Sequence, residues 1–174
     1  MGDTTITIIA IFLAAILMFV FPLMTLSDRS DDVSQLSVQT MTTEFVDNVK
    51  KTGKLTEQNY SKFIEQISAT GNTYDVELKV QVLDENLGKK AQSVKMDKIG
   101  ENEYYTMYTT QVEEAMKSGK GTYSLKEGDR ISVSVKNTNT TISQELKNFL
   151  YKVTGNESSQ ISAEAAGMIT TNGK

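Results

Sequence analysis

The stretch that decides the fold is ITIIAIFLAAILMFVFPLMTL, residues Ile6 to Leu26. No ionisable side chain occurs from Thr4 to Ser27, and apolar residues occupy most of the positions. Roughly 20 apolar residues, at about 1.5 Å per residue in a helix, are enough to cross the hydrocarbon of a bilayer. A core helix of a soluble domain would carry a polar face, which this stretch lacks. The stretch therefore predicts a transmembrane helix over residues 1–27.

A cleaved secretory signal is the competing interpretation of the same stretch. Such a signal has a basic start, a shorter apolar run and an A-x-A-like cleavage site. Here the chain starts with MGD, and Ser27, Asp28 and Arg29 follow the apolar run. We therefore expect the helix to be retained.

The polar segment that follows, residues 28–53, predicts an amphipathic continuation of the same helix. Pro22 removes one helical hydrogen bond, so we expect a bend there and not a stop. The natural residue to end the helix is Gly53. Val33 and Leu36 lie on a different side from the apolar residues that we expect to face the domain. Those domain-facing residues recur at spacings of three and four and are Val38, Met41, Phe45, Val46 and Val49.

Residues 54–174 predict one α+β domain, in which an antiparallel sheet has helices on one side. Its first helix begins after Thr56, whose hydroxyl can cap it, and ends at Gly71. The apolar stripe of this helix is Tyr60, Phe63, Ile64 and Ile67. Apolar and polar residues then alternate over residues 74–82, which predicts a half-buried strand. Residues 84–90 predict a turn, and residues 93–99 predict a weak strand or a loop.

The next part of the domain predicts a helix and a hairpin. The helix spans residues 104–117 and is followed by Gly119. Its inward residues are expected to be Tyr105, Tyr108, Val112, Ala115 and Met116. The hairpin joins residues 123–125 to residues 131–135 through a turn at 126–129.

A last helix and a last strand complete the domain. Thr141 and Gln144 have the spacing of a capping box, which begins a helix that Gly155 ends. The apolar stripe of that helix is Ile142, Leu146, Phe149, Leu150 and Val153. A strand over residues 160–170 follows, with Ile161, Ala163, Ala165, Gly167 and Ile169 on one face. The small residues on this face predict that a helix approaches the strand closely.

Composition excludes several classes of function. The chain has no Cys and no His, which excludes thiol nucleophiles, disulfides and zinc sites of the Cys/His kind and removes the commonest general base. Lys and Arg are scattered and the net charge is −4, so no basic patch predicts nucleic-acid binding. No motif predicts a cofactor, since the sequence Gly-Lys-Gly at residues 119–121 lacks the spacing of a phosphate loop. We expect a structural protein and not an enzyme.

An acidic cluster follows the predicted span. Asp28, Asp31 and Asp32 could bind a hard cation through carboxylate oxygens. A solvated helix face is the favoured interpretation, so no metal site is predicted.

Four stretches of the sequence carry a resemblance to a known family: FPLMTLSDRSDD at residues 21–32, EFVDNVKKTGKLTEQNY at 44–60, ATGNTYDVEL at 69–78 and ISAEAAGMIT at 161–170. With its apolar N-terminal helix, the internal Pro22, the amphipathic continuation and the α+β domain, the chain resembles type IV pilins and pseudopilins. The details look closest to the TadE-like pilin-type proteins of tight-adherence (Tad) pilus systems in Gram-positive bacteria. The N-terminus differs from the usual pilin pattern, because Thr7 stands where pilins carry a glutamate and the leader would be residues 1–2 alone.

The resemblance implies a pilin, minor pilin or pseudopilin, which is a structural subunit of an extracellular filament. Such a subunit waits as a single-pass protein in the cell membrane with its C-terminal domain outside. It then packs its apolar helix against identical or related subunits, with the pilus assembly machinery as a further partner. The residues that we expect to contact membrane or neighbouring helices are Ile6, Ile9, Phe12, Leu13, Leu17, Phe21, Pro22, Leu26, Val33 and Leu36.

Two questions stay open at the level of sequence. Arg29, Lys50 and Lys51 follow the span and no Lys or Arg precedes it, which weakly favours a cytoplasmic domain by the positive-inside rule. The lack of Cys and a surface rich in Ser, Thr and Asn favour an external domain, so the orientation is left open by these features. The alternative function is a membrane-tethered binding or regulatory domain that never polymerises.

Overall fold

The computed structural model describes residues 2–83, 104–151 and 160–173. In chain order its elements are α1 (Gly2–Thr52), β1 (Lys54–Thr56), α2 (Glu57–Ser68), β2 (Tyr74–Leu83), β3 (Tyr104–Tyr108), α3 (Thr109–Ser118), β4 (Thr122–Ser124), β5 (Arg130–Asn137), α4 (Ile142–Tyr151) and β6 (Ser162–Met168). The fold is α+β, with a long N-terminal helix packed on antiparallel sheets.

The long helix α1 runs without interruption from Gly2 to Thr52, which confirms the prediction of a single helix. Pro22 lies inside it, and the bend expected there stays a prediction. The helix ends because Gly53 adopts a φ of 63°, in the left-handed region. A Cβ at this position would lie 2.2 Å from the carbonyl oxygen of Thr171, so only glycine fits.

The second half of α1 packs on the sheet. Its buried apolar residues are Val38, Phe45, Val46 and Val49, and Met41 is partly buried against the same core. Strand β6 lies directly under the helix. A Cβ at Gly167 would lie 2.4 Å from Cδ of Lys50, which confirms that the small residues of the last strand allow a close approach.

The main sheet has four antiparallel strands in the order β3-β2-β5-β6. One face of this sheet forms the core with α1, α2 and α3, and its fully buried residues include Leu78, Val80, Ile131, Val133 and Val135. The opposite face carries exposed polar residues such as Glu77, Arg130 and Glu164. The alternation predicted for residues 74–82 is therefore confirmed.

The helix predicted over residues 104–117 is wrong for residues 104–108. They form strand β3, and the helix α3 begins only at Thr109. Tyr108 lies on the outer face of the sheet and is 51% exposed, whereas Tyr105 lies opposite Val82 on the core face and is still 48% exposed. Val112 and Met116 are buried as predicted. The tyrosine spacing imitates a helical period, but aromatic and β-branched residues suit a strand, and the backbone of β2 needs a partner. Where the strand ends, the Thr109 hydroxyl accepts a hydrogen bond from the Leu78 amide at 2.9 Å.

The predicted hairpin between residues 123–125 and 131–135 is also wrong. Strand β4 pairs with β1, a strand that the sequence did not reveal, and not with β5. The turn itself forms, with Gly128 at a φ of 96° and the Asp129 carboxylate accepting from the amide of Lys126 at 2.8 Å. The pairing differs because the amide of Leu125 donates to the carbonyl of Gly53 at 2.8 Å, which places β4 beside the end of α1.

The helix N-caps predicted at Thr56 and Thr141 are confirmed. Thr56 accepts from the amide of Asn59 at the start of α2, and Phe63 and Ile67 of that helix are buried. Thr141 and Gln144 form the reciprocal hydrogen bonds of a capping box, at 3.1 and 3.2 Å.

The expectation that Ile142 is inward is wrong, since its side chain is 69% exposed. Thr141 and the buried Ser143 dock the first turn of α4 on α1, which leaves Ile142 in solvent. The predictions for residues 84–90 and 93–99, for Val153 and Gly155, and for the side chains of Phe149 and Leu150 lie outside the described residues.

We predict that residues 30–174 fold alone as a soluble domain and that Val80→Asp unfolds it. Val80 is fully buried in the middle of β2, and an unpaired buried carboxylate costs several kcal/mol. Urea unfolding followed by circular dichroism measures the effect. Gln81→Asp, the next residue on the solvent side of the same strand, is the matched control and should cost less than about 1 kcal/mol. Equal stability of the Val80→Asp variant and the parent would contradict the register.

Candidate functional site

The apolar half of α1 is exposed along its length. This is the one helix in the described part of the chain that is long and apolar enough to cross a membrane, and none of its most apolar window is buried. The residues expected to contact membrane or neighbouring helices in this half are all exposed: Ile6, Ile9, Phe12, Leu13, Leu17, Phe21, Pro22 and Leu26. A signal sequence satisfies the same length and composition. A core helix of a soluble fold would instead be covered by the rest of its domain.

Two apolar residues beyond the span are exposed as well. Val33 and Leu36 are 65% and 69% exposed, and they lie on a side of α1 away from the sheet. The domain therefore does not cover them, which agrees with the side assigned to them from the sequence.

A groove runs beside Val33, between α1 and the end of α2. Its volume is about 690 Å³. The groove is lined by Leu26, Arg29, Ser30, Val33, Ser34, Ser37 and Met41 of α1, and by Gln66, Ala69 and Thr70 at the end of α2. It begins where the predicted span ends, so the apolar surface of α1 continues from the span into the groove.

A polar clamp holds the membrane-proximal part of the domain against α1. Asp28 accepts a hydrogen bond from the Ser143 hydroxyl and forms an ion pair with Nζ of Lys147 at 2.5 Å. Asp31 accepts from the Thr141 hydroxyl at 2.7 Å. The first turns of α4 are thereby attached to α1 just after the predicted span.

The acidic cluster is therefore not the solvated helix face that we favoured. Asp28 and Asp31 are half-buried docking residues, and Asp32 is exposed. Their partners lie more than 100 residues away along the chain, so no local signal could reveal them. In the described part of the chain, no group of three or more Asp and Glu side chains is arranged to hold a metal ion.

The ion pair has an electrostatic consequence. The hydrogen bond from Lys147, with that from Ser143, lowers the pKa of the Asp28 carboxyl below its usual range, and burial opposes the shift. A carboxyl whose pKa is lower in the folded state stabilises the fold above its unfolded pKa and loses that contribution as the pH falls.

A second polar contact sets the rotation of α1. The Gln35 side chain accepts from the Ser162 amide at 2.9 Å and donates to the Ser162 carbonyl at 2.5 Å. One turn further on, Gln39 donates to the carbonyl of Glu164 at 3.2 Å. These bonds occupy backbone groups of β6, the last strand of the sheet, and they keep Val33 and Leu36 turned outward.

Comparisons of the chain with protein-family models, with curated proteins and with solved structures found no match. The resemblance to the pilin family rests on the residues quoted from the sequence, and it stays a prediction. The expectations that the protein is not an enzyme and binds no nucleic acid stay predictions too.

We expect the unassembled protein to resist extraction from membranes by alkaline carbonate and by high salt and to dissolve in detergent. The reason is the exposed apolar run of bilayer-spanning length. Immunoblots of the soluble and membrane fractions measure this, together with the intact mass of the membrane-bound chain. A soluble product that lacks residues 1–27 would show that the run is a cleaved signal.

We expect Asp28→Asn to destabilise the full chain by about 0.5–1 kcal/mol at pH 7, the range of a partly exposed ion pair. The difference from the parent should shrink as the pH falls from about 5 toward 3, because the parent then loses the charge that Lys147 stabilises. Urea titrations in non-ionic detergent at several pH values measure it. Asp32→Asn removes an exposed carboxylate of the same cluster and is the matched control. An equal effect of both variants would mean that the cluster acts only through its summed charge.

Proposed function

We propose that the protein is a structural subunit, a pilin, minor pilin or pseudopilin, of an extracellular type IV pilus-like filament. In this proposal the subunit is held first in the cell membrane and then in the filament by the same apolar helix. Its partners are identical or related subunits and the assembly machinery that moves them out of the membrane. The domain after residue 27 lies outside the cell.

The exposed apolar half of α1 supports a role in which this surface is always covered. Large apolar side chains such as Phe12, Leu13 and Leu17 cannot remain in water without a large free-energy cost. Lipid covers them before assembly, and parallel helices of neighbouring subunits cover them in a filament. The subunit thus passes between two environments of similar polarity.

The observation that carries the proposal is the exposure of Val33 and Leu36. Both lie beyond the end of the predicted span, so lipid does not explain them, and the domain does not bury them. Single exposed apolar residues are common on proteins and need no explanation. These two, however, continue the apolar surface of the span, and Val33 lines the groove between α1 and α2.

A filament gives this groove an occupant. Its walls offer the apolar side chains Leu26, Met41 and Ala69 to a neighbouring apolar residue such as Leu36 of the next copy. A projection on one surface that fits a groove on another makes a head-to-tail contact, and repetition of such a contact produces a helical filament.

A membrane-tethered domain that never polymerises is the alternative. The span alone supports it, because such a domain needs an anchor and nothing more. In that case Val33 and Leu36 contact no other subunit, and substituting them changes the local surface and no other property of the protein.

We predict that Val33→Lys combined with Leu36→Lys abolishes filaments and leaves the melting temperature of the domain within about 2 °C, since surface substitutions cost little. The charged side chains would have to be desolvated between subunits. Shearing of cells followed by sedimentation and immunoblotting measures filaments that contain the full helix.

Matched variants separate assembly from folding. Met41→Lys with Phe45→Lys should collapse the domain itself, because Phe45 is buried in the core and Met41 packs against that core. Thr40→Lys with Thr43→Lys places the same charges on exposed positions of α1 two turns further on and should assemble more nearly as the parent does. Normal assembly of the Val33/Leu36 variant would show that the helix packs in another way. A parent protein that never leaves the membrane on shearing would overturn the filament itself.

A further inference from the structure

The outer face of the main sheet contains a hollow that the filament proposal does not use. It has a volume of about 480 Å³, within the range of small-ligand pockets. Its walls are Lys79, Gln81, Arg130 and Met168, and the small residues Ser132 and Ala166 lie between them. The hollow exists because these two short side chains are surrounded by long ones on three adjacent strands.

Strand register brings two cations together at this hollow. Lys79 is paired with Ser132, and Gln81 is paired with Arg130. Lys79 and Arg130 are therefore diagonal neighbours on β2 and β5, at a Cβ separation of about 7 Å. Like charges at this distance repel one another, so an anion placed between them is stabilised by both.

Tyrosine rings hold both cations in place. The Arg130 guanidinium lies 4.6 Å from the centroid of the Tyr104 ring, and Nζ of Lys79 lies 5.7 Å from that of Tyr108. The Tyr104 hydroxyl donates in turn to the carbonyl of Gly128 at 3.4 Å. Side chains that are already ordered lose less entropy when a ligand binds.

Within the part of the chain that the structure describes, carboxylates neutralise the two cations only weakly. Among the described residues, Arg130 forms no ion pair with a carboxylate, and Lys79 is 3.9 Å from the Glu77 carboxylate at the edge of salt-bridge range. The Ser132 hydroxyl and the Gln81 amide add uncharged donors beside them. A guanidinium, an ammonium, a hydroxyl and an amide together form a donor set for an anion with several oxygens.

We propose that this hollow binds the phosphate group of a compact phosphate monoester. A phosphate monoester carries close to two negative charges at neutral pH, which matches Lys79 and Arg130 together, whereas a single carboxylate matches only one of them. Met168, which is 47% exposed, and Ala166 provide apolar surface for the carbon part of the ligand.

The neighbouring residues favour a compact ligand over a long polyanion. Glu77 and Glu164 face Ser134 from both sides, in the row next to Lys79 and Ser132. A polyanion that follows the strands toward the membrane-proximal end would meet these carboxylates. The site therefore accepts one terminal phosphate and repels an extended chain of them.

The test uses the ¹⁵N-labelled full chain in non-ionic detergent micelles, titrated with glycerol 2-phosphate at constant ionic strength. Amide resonances of Ser132 and Met168 should shift in a saturable way, and that of Lys136 should not. Arg130→Gln and Lys79→Gln should each weaken binding at least fivefold, and Ser132→Leu should abolish it by filling the hollow. Unchanged dispersion of the remaining resonances shows that each variant is folded.

The matched control is Lys136→Gln, which removes a cation from the same face of β5 outside the hollow and should change affinity less than twofold. Succinate, a dicarboxylate of similar charge, should bind at least fivefold more weakly than glycerol 2-phosphate. Equal weakening by Lys136→Gln, equal binding of succinate or unsaturable shifts would each overturn the proposal. The measurement does not depend on assembly, so its result stands whether or not the protein forms filaments.

Discussion

The placement of the whole protein depends on keeping the apolar half of α1 out of water. None of the most apolar window of that half is buried by the protein's own domain, so its removal from water requires lipid or other protein. The domain is built on the continuation of the same helix, because α1 passes from its exposed apolar half into the core without a break. Whatever covers the first half of α1 therefore sets the position of the whole domain.

The attachment of the domain to α1 is polar near the predicted span and apolar farther away. Close to the span, Asp28 and Asp31 hold α4, and Gln35 holds β6. Farther along, Val46 and Val49 pack in the core, and Gly167 lets Lys50 lie against β6. Hydrogen bonds are directional and apolar contacts are not, so the polar end fixes the rotation of the helix. That rotation leaves Val33 and Leu36 outward.

The two faces of the main sheet have separate tasks. The inner face is apolar except for residues such as the buried Asn137, and α1, α2 and α3 pack on it. On the outer face, two cations lie against tyrosine rings beside a hollow. The packing of the core does not require this arrangement. If the helix holds the subunit in a filament, this outer face is the side of the domain farthest from the helix, and it is free to meet molecules in the surroundings.

Features that depend on neighbours in sequence could be predicted from the sequence. The absence of charge over residues 6–26 specifies the apolar helix, the alternation after Tyr74 specifies β2, and the spacing of Thr141 and Gln144 specifies a helix start. Each of these rests on backbone periodicity or on a hydrogen bond within four residues, which a short window of sequence contains in full. The sidedness of α1, with Val33 and Leu36 away from Val38 and Val49, follows from the same periodicity.

The remaining features required contacts between distant segments. Strand β1 is three residues long and exists because β4 lies beside it, while residues 104–108 became a strand because β2 offered an unpaired edge. The clamp joins Asp28 to Lys147, and the hollow needs β2, β5 and β6 in one register. Judged by sequence alone, many segments of the chain are equally suitable as pairing partners for a strand or a charged side chain. Only the packing of the whole domain selects among them, because a pairing is stable when it also buries the rest of the core.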